Sequence, residues 1–260
     1  MQQTSALLYV SPDRVLYRGW LGKPRERRLA ASAWYLPIAG ELTVSGARGD
    51  TQRGFFAVNV PAGMPHQVES ASGQIVCFLA EAEFGEVPAR DACLSVRHLC
   101  SADHAVLASL DMRLLRAWRE GRRNIDLELD LLVLGRTLVR RELDDRIAEV
   151  VRRVRLEPAH AWQARDAALD CRLSPSRFMH LFKAELGMGW RDFRAWTRAR
   201  ALLVRVHTDD NLTQVALSLG YPDGTHFSHA IRQITGLRPS DIVAGSRHLS
   251  VWNDSGLTPA

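Results

Sequence analysis

The stretch SPSRFMHLFKAELG, Ser174–Gly187, returns forty-nine positions later as DGTHFSHAIRQITG, Asp223–Gly236. Aligned at that offset, the copies share Phe178 with Phe227, His180 with His229, a bulky apolar residue at Phe182 and Ile231, a cation at Lys183 and Arg232, and a closing Gly187 and Gly236. A unit written twice constrains the fold strongly, because each copy must bury the same stripe against an equivalent neighbour. Those neighbours stand just ahead of each copy: a short helical segment (WQARDAALD, TQVALSLG) and then a tight turn (CRLS, YPDG). Ser174 and Pro175 open the first copy with a favourable cap and a favourable first helical residue. Helix, short turn and helix make a helix-turn-helix unit.

At helical spacing, Phe178, Leu181 and Phe182 form the inward stripe of the first copy, and Phe227, Ala230 and Ile231 that of the second. Outward lie Ser176, Arg177, His180 and Lys183 on the first copy, and Thr225, Ser228, His229 and Arg232 on the second. All eight can donate a hydrogen bond to a phosphate or a base edge. One such face is an ordinary wet surface; two matched faces behind matched helices favour a nucleic-acid contact. Charge placement agrees. Residues 160–208 hold nine Lys and Arg against four Asp and Glu, whereas residues 209–241 hold two against four. A polyanion-facing surface is therefore expected around the first copy. Between the copies, Trp190–Val206 reads as one helix, about 25 Å long at ~1.5 Å per residue. With the offsets of its flanking helices it reaches toward the ~34 Å between successive major-groove faces.

The first ninety or so residues have a different period. RVLYRGW, ASAWYLPIAGELTVSG, GFFAVNVPAGMPHQVES and GQIVCFLAEAE are short aromatic and β-branched runs broken by Gly and Pro, the pattern of a small sandwich or barrel. After about Arg90, Leu107, Leu110, Leu114 and Trp118 step as one helix face, with Gly121 as a stop. A second stripe follows at Leu127, Leu131, Leu134 and Leu138. Because Leu129, Leu132, Val133 and Val139 lie off it, this helix needs more than one partner, within the chain or in a second copy. DDRIAEVVRRVRLEP is amphipathic with Ile147, Val150, Val151 and Val154 inward; a helix is expected from Ala159 to about Asp170, and Asn211 with Gln214 resembles a capping box. The chain divides accordingly into a β domain (1–92), a helical linker and dimerisation region (101–143), a helical domain (144–246) and a tail (247–260).

Several functions are disfavoured. Cys77, Cys93, Cys100 and Cys171 have neither CxxC spacing nor the density of a disulfide scaffold, so reduced thiols are expected. No window is long and apolar enough to span a membrane, and the opening MQQTSALLYVSPDRV lacks a secretory signal's cationic flank, so a cytoplasmic location is expected. His66 has Glu69 nearby but no second His, which is short of a metal ligand set, and no metal or cofactor is expected. With no phosphate loop, nucleophile elbow or catalytic carboxylate pair, the chain reads as a non-enzyme. Trp34 and His66 are the candidate contacts for a small-molecule effector in the β domain.

The stretch from about Asp144 to Ser246 resembles the DNA-binding domain of AraC/XylS-type transcription regulators. The resemblance is carried by LSPSRFMHLFKAELG, by the linker WTRARALL, and by LTQVALSLGYPDGTHFSHAIRQITGLRPSD with its Gly236 and Pro239. It implies an α+β protein: an amino-terminal cupin-like β-barrel with following helices, then an all-α domain of two helix-turn-helix units joined by a long helix. It also implies sequence-specific binding of double-stranded DNA, with RNA polymerase, a small-molecule effector and a second copy of the chain as further partners. Two departures stand out. His180 and His229 occupy positions where the family often has Arg, and imidazole lacks the guanidinium fork that reads guanine; Ile231 replaces the usual second Phe. Protonated imidazoles attract phosphate more strongly, so pH-dependent binding is expected. A metal-dependent cupin enzyme with a helical appendage gives no reason for the repeat. A helical protein-interaction module would show no salt-dependent DNA affinity.

Overall fold

GQIVCFLAE lacks the alternation of a half-exposed strand, and a run of that kind is stable as a strand only if both faces are covered. The computed structural model describes residues 6–21, 25–46, 49–85, 93–99, 101–203, 212–240 and 249–254, and shows how both faces are covered. Ten strands come first: β1 (Ala6–Val10), β2 (Arg14–Trp20), β3 (Arg27–Arg28), β4 (Ala31–Pro37), β5 (Leu42–Gly46), β6 (Thr51–Gly54), β7 (Phe56–Val60), β8 (Pro65–Ser70), β9 (Gln74–Glu81) and β10 (Ser95–His98). An eleventh, β11 (Leu249–Asn253), follows all the helices. They form a seven-stranded sheet, ordered β10-β7-β4-β9-β2-β1-β11, and a four-stranded sheet, ordered β3-β8-β5-β6.

β9 sits between β2 and β4 in the large sheet, and its side chains divide by parity. Ile75, Cys77 and Leu79 enter the core between the sheets with Tyr35, Val44, Val58 and Val68. Val76, Phe78 and Ala80 enter a second core on the other face, under the helices α1 (Ser101–Arg119) and α2 (Asp126–Leu134). Leu107, Leu110 and Leu114 of α1 are buried there as the sequence predicts; the side chain of Trp118 lies outside the described residues.

α2 departs from its predicted stripe. It ends at Leu134 because Gly135 takes a left-handed conformation (φ 70°), and it buries Leu129, Val133 and Leu134. Leu127 and Leu131 remain 61% and 54% exposed. What orients α2 is ionic: Asp130 is fully buried and accepts both Arg14 Nε (2.8 Å) and Arg14 Nη2 (3.0 Å), as well as the backbone N–H of Leu138 (2.8 Å).

Six helices build the rest of the described residues: the amphipathic α3 (Asp145–Leu156), then α4 (Ala164–Asp170), α5 (Pro175–Leu186), α6 (Trp190–Leu203), α7 (Leu212–Ser218) and α8 (Gly224–Thr235). Ile147, Val150, Val151 and Val154 of α3 are buried as expected, and Asp144 caps it through Arg146 N–H. α4 starts five residues later than the sequence suggests, since Trp162 turns in to pack on His160 (4.6 Å between centroids) and under Arg153. Residues 204–206, Asn211 and 241–246 lie outside the described residues. The stretch read as a tail is not one over Leu249–Asn253: as β11 it pairs in parallel with β1, and Trp252 is buried edge-on against Tyr9 at 5.0 Å.

Replacing Asp130 by Ala leaves the Arg14 guanidinium buried without its carboxylate and should cost about 3–5 kcal/mol of stability. Replacing the pair together, Arg14→Met with Asp130→Leu, should recover most of that loss. Urea denaturation checks both, and a single-variant loss near zero would contradict this role for the pair.

Candidate nucleic-acid interface

The two copies of the sequence motif become α5 and α8, and their anchoring is the aromatic stripe. Phe178 and Phe182 are fully buried and meet the Trp190 ring edge-on at 5.3 and 5.1 Å, with Phe193 5.4 Å from Phe182. In α8, Phe227 and Ile231 are buried, and Phe227 packs edge-on against Tyr221 at 5.3 Å. Such ring pairs add about 0.5–1.5 kcal/mol each beyond burial and fix the roll of the helix. Both helices are capped at both ends. Ser174 Oγ accepts from Arg177 N–H, and Asp223 accepts from the N–H groups of Thr225 and His226. Those hydrogen bonds, His226 first, hold the Asp223 carboxyl below the usual carboxylate range. Gly187 and Gly236 close the helices with φ of 74° and 76°.

The turns repeat as well, at an offset of forty-eight. Arg172 N–H bonds to Leu169 O and Leu173 N–H to Ala168 O; Gly220 N–H bonds to Leu217 O and Tyr221 N–H to Ala216 O. Arg172 and Gly220 both take positive φ, 55° and 74°. Only the second must be glycine, because a Cβ there would meet the Ala159 carbonyl oxygen at 2.2 Å. One residue more in the second turn shifts the helix offset from forty-eight to forty-nine.

Ser176, Arg177, His180 and Lys183 are all exposed on α5, as are Thr225 and His229 on α8. Ser228 and Arg232 differ: both are partly buried, and Arg232 Nε is enclosed without a hydrogen-bond partner among the described residues. The cationic excess is also less available than the sequence implies. Arg194 donates to Trp162 O, Arg198 to Pro158 O and His160 O, and Arg200 to Ser11 O, so these three linker-helix cations serve packing. Arg177 and Lys183 have no such commitment and face solvent.

α3 and α6 dock the helical part on the sheets through buried charge. Arg155 reaches Glu81 Oε2 (2.8 Å) and both oxygens of Glu83 (2.5 and 2.8 Å). Trp196 Nε1 donates to Glu81 Oε1 (3.1 Å), and Arg200 Nε lies 3.1 Å from the same oxygen. Burial alone would raise the Glu83 carboxyl, but Arg155 beside it holds it below the ordinary range. Burial pulls the Arg200 guanidinium down, with Glu81 opposing.

In the β domain the two effector candidates separate. Trp34 points into the core beneath α1 and α2, tilted on Phe78 at 5.8 Å, whereas His66 is buried between the sheets. The neighbour that His66 meets is Tyr35, one residue on and so on the opposite face from Trp34. His66 Nδ1 donates to Met64 O (2.8 Å), leaving Nε2 to accept from the Tyr35 hydroxyl (2.8 Å). Burial first, and then the charge of Arg27, push the imidazole down to about 3, so it is neutral. Arg27 stands opposite His66 in the β3–β8 register, lies 4.7 Å over the Tyr35 ring, and has Nε and Nη2 enclosed without a hydrogen-bond partner among the described residues. Sequence reading missed Arg27 and Tyr35; the alternation of Trp34 and Tyr35 along β4 was the available signal.

Residues 167–244 match a family model described as a helix-turn-helix domain. The chain is 34% identical over 76 residues to the arabinose operon regulatory proteins of Salmonella typhimurium and Escherichia coli, a match that covers 28% of this chain. Over 71 residues it is 34% identical to the invasion protein InvF of Salmonella typhi. These matches span about a quarter of the arabinose regulators (26% and 25%) and a third of InvF (33%). Among solved structures, ToxT from Vibrio cholerae O395 superposes with a TM-score of 0.62 at 13% identity, covering 89% of this chain and 96% of ToxT. ToxT of Vibrio cholerae strain SCE256 bound to an unsaturated fatty acid gives 0.56 at 12%, covering 92% and 95%. At these identities the likeness is one of fold, and it extends through the sheets as well as the helices.

The split between anchoring and outward residues is measurable. Phe182→Ala should cost about 3–5 kcal/mol of stability, whereas Lys183→Ala should change it by less than about 0.5 kcal/mol. Equal losses in denaturant titration would show that Lys183 has a structural duty and would remove it from the interface.

Proposed function

We propose that the protein is a sequence-specific transcription regulator of the AraC type that binds double-stranded DNA through α5 and α8, a reading supported by the helix-turn-helix match over residues 167–244 and the likeness to the arabinose operon regulatory proteins. The observation that carries this reading is the duplicated outward face. On α5, Ser176, Arg177, His180 and Lys183 project from a helix fixed by Phe178 and Phe182, and all four are exposed. On α8, Thr225, His229 and Arg232 take the positions of Ser176, His180 and Lys183, and Ser228 stands at that of Met179. Each protomer then addresses two successive major-groove segments, with Arg177 and Lys183 on phosphates and the histidines nearer the base edges. The protein acts in the cytoplasm, without an enzymatic activity of its own, and RNA polymerase is a second partner.

A small molecule modulates it from between the sheets. The supporting observation is the Arg27 guanidinium, buried and with two unpaired nitrogens beside the Tyr35 hydroxyl and His66, a setting suited to an acidic ligand. ToxT, whose fold is similar, has been solved with an unsaturated fatty acid. Pairing of two copies uses the apolar surface left on α1 and α2, where Met112 is 71%, Leu127 61% and Leu131 54% exposed.

A salt series tests the interface. Arg177→Ala and Lys183→Ala should each weaken binding on every DNA sequence and lower the slope of log affinity against log salt by about 1. Gel shift or anisotropy reads both. An unchanged salt slope in both variants would contradict the assignment of α5's outward face.

A further inference from the structure

The second helix-turn-helix unit is fastened to the sheets on both sides of its sequence. Ahead of it, α6 brings Trp196 and Arg200 to Glu81. Behind it, the chain returns as β11 and joins the large sheet in parallel with β1, in register from Ala6 opposite Leu249 to Val10 opposite Asn253. The return is well anchored. Trp252 is buried against Tyr9, Asp254 N–H donates to Val10 O (2.7 Å), and Asp254 Oδ2 accepts from Asn124 N–H (2.6 Å) ahead of α2. Nine Cα-to-Cα steps separate Ser240 from Leu249, so that stretch of chain reaches at most about 30 Å when fully extended.

Between the two fastenings, α8 lies against β3. Arg25 N–H donates to Gly236 O (3.0 Å) at the end of α8. One turn back on that flank, Arg232 is partly buried with its Nε enclosed and unpaired, and a further turn back Ser228 is partly buried too. Their counterparts on α5, Lys183 and Met179, are exposed. The first recognition helix is open to a duplex, and the second is open on one flank only. A helix reading bases must enter a groove about 12 Å wide and 8.5 Å deep, with a phosphate wall on each side. β3 packs against α8 and competes with a duplex for the space beside it.

We propose that β11 is an intramolecular strap on DNA binding: paired with β1, it holds α8 against β3, and full engagement of DNA requires the strap to be released. This rests on the DNA-binding reading given above. The closed arrangement leaves Arg232 Nε desolvated and unbonded, a cost that a phosphate or base edge would relieve once α8 is free. A chain whose competent form is a minority binds more weakly by the fraction competent, so loosening the strap should strengthen binding.

Two full-length variants test it. Trp252→Asp breaks the anchor of β11, and an insertion of about fifteen Gly and Ser residues within 241–248 lengthens the strap while leaving β11 intact. Each is compared with the unaltered chain by anisotropy on a duplex of about four helical turns selected from a random pool, and by hydrogen exchange. Both variants should bind about tenfold more tightly, exchange should rise in α8 and β3 but not in β9, and Arg232→Ala should cost more affinity in either variant than in the unaltered chain. The insertion decides the matter if Trp252→Asp fails to fold. Faster exchange in α8 with unchanged or weaker binding overturns the strap and leaves the DNA-binding reading in place. No binding by any of the three chains overturns both.

Discussion

Glu81 and Glu83 stand at the end of the most buried strand, and the placement of the helical half depends on what they bind. Taking two carboxylates and the guanidinium of Arg155 out of water costs several kcal/mol per ion, which close paired geometry offsets and loose geometry does not. Arg155 on α3 meets both carboxylates, and Trp196 and Arg200 on α6 add a second and a third partner to Glu81. Apolar contact between the sheets and the helices is extensive but non-directional. The charged cluster supplies direction: it is satisfied in one docking position, so α3 and α6 cannot slide on the sheets without exposing an unpaired buried ion.

That fixed docking turns a duplicated sequence into an unequal pair. α5 and α8 are capped at the same position, by Ser174 and Asp223, close on Gly187 and Gly236, and are anchored by Phe178 and Phe227 at the same turn, so each is fixed within its own unit. They differ in what surrounds them. α6 carries the first unit with the outward residues of α5 in water, while α8 packs against β3 and has Ser228 and Arg232 partly buried. Physical asymmetry between two chemically matched faces is how one chain can hold DNA loosely by one unit and regulate engagement of the other.

Much of the helical half was legible in the sequence. Phe178, Phe182, Phe227 and Ile231 recur at one spacing with fixed caps, and local rules are enough to place them. The β domain was legible as strands and turns but not as a site, because Trp34 and Tyr35 are neighbours in sequence and opposites in space, and their faces depend on sheet pairing. Long-range partners were out of reach altogether. Nothing near Arg200 in the sequence points to Glu81 or Ser11, so its charge was counted toward the surface. Leu127 and Leu131 were placed on a buried stripe since a helix apolar on most sides has no periodic preference; the buried Arg14–Asp130 pair chose the other face. Leu249–Asn253 is short and follows a complete helical domain, so only its pairing with β1 identifies it.

The central claim is that a single protomer presents two recognition helices to adjacent segments of one duplex. Hydroxyl-radical footprinting on a selected site tests it most directly. Two protected segments per protomer on one face of the DNA, about 10 base pairs apart, are predicted, with Thr225→Ala and His229→Ala weakening only the segment assigned to α8. A single protected segment that responds to α5 variants and ignores α8 variants would contradict the account.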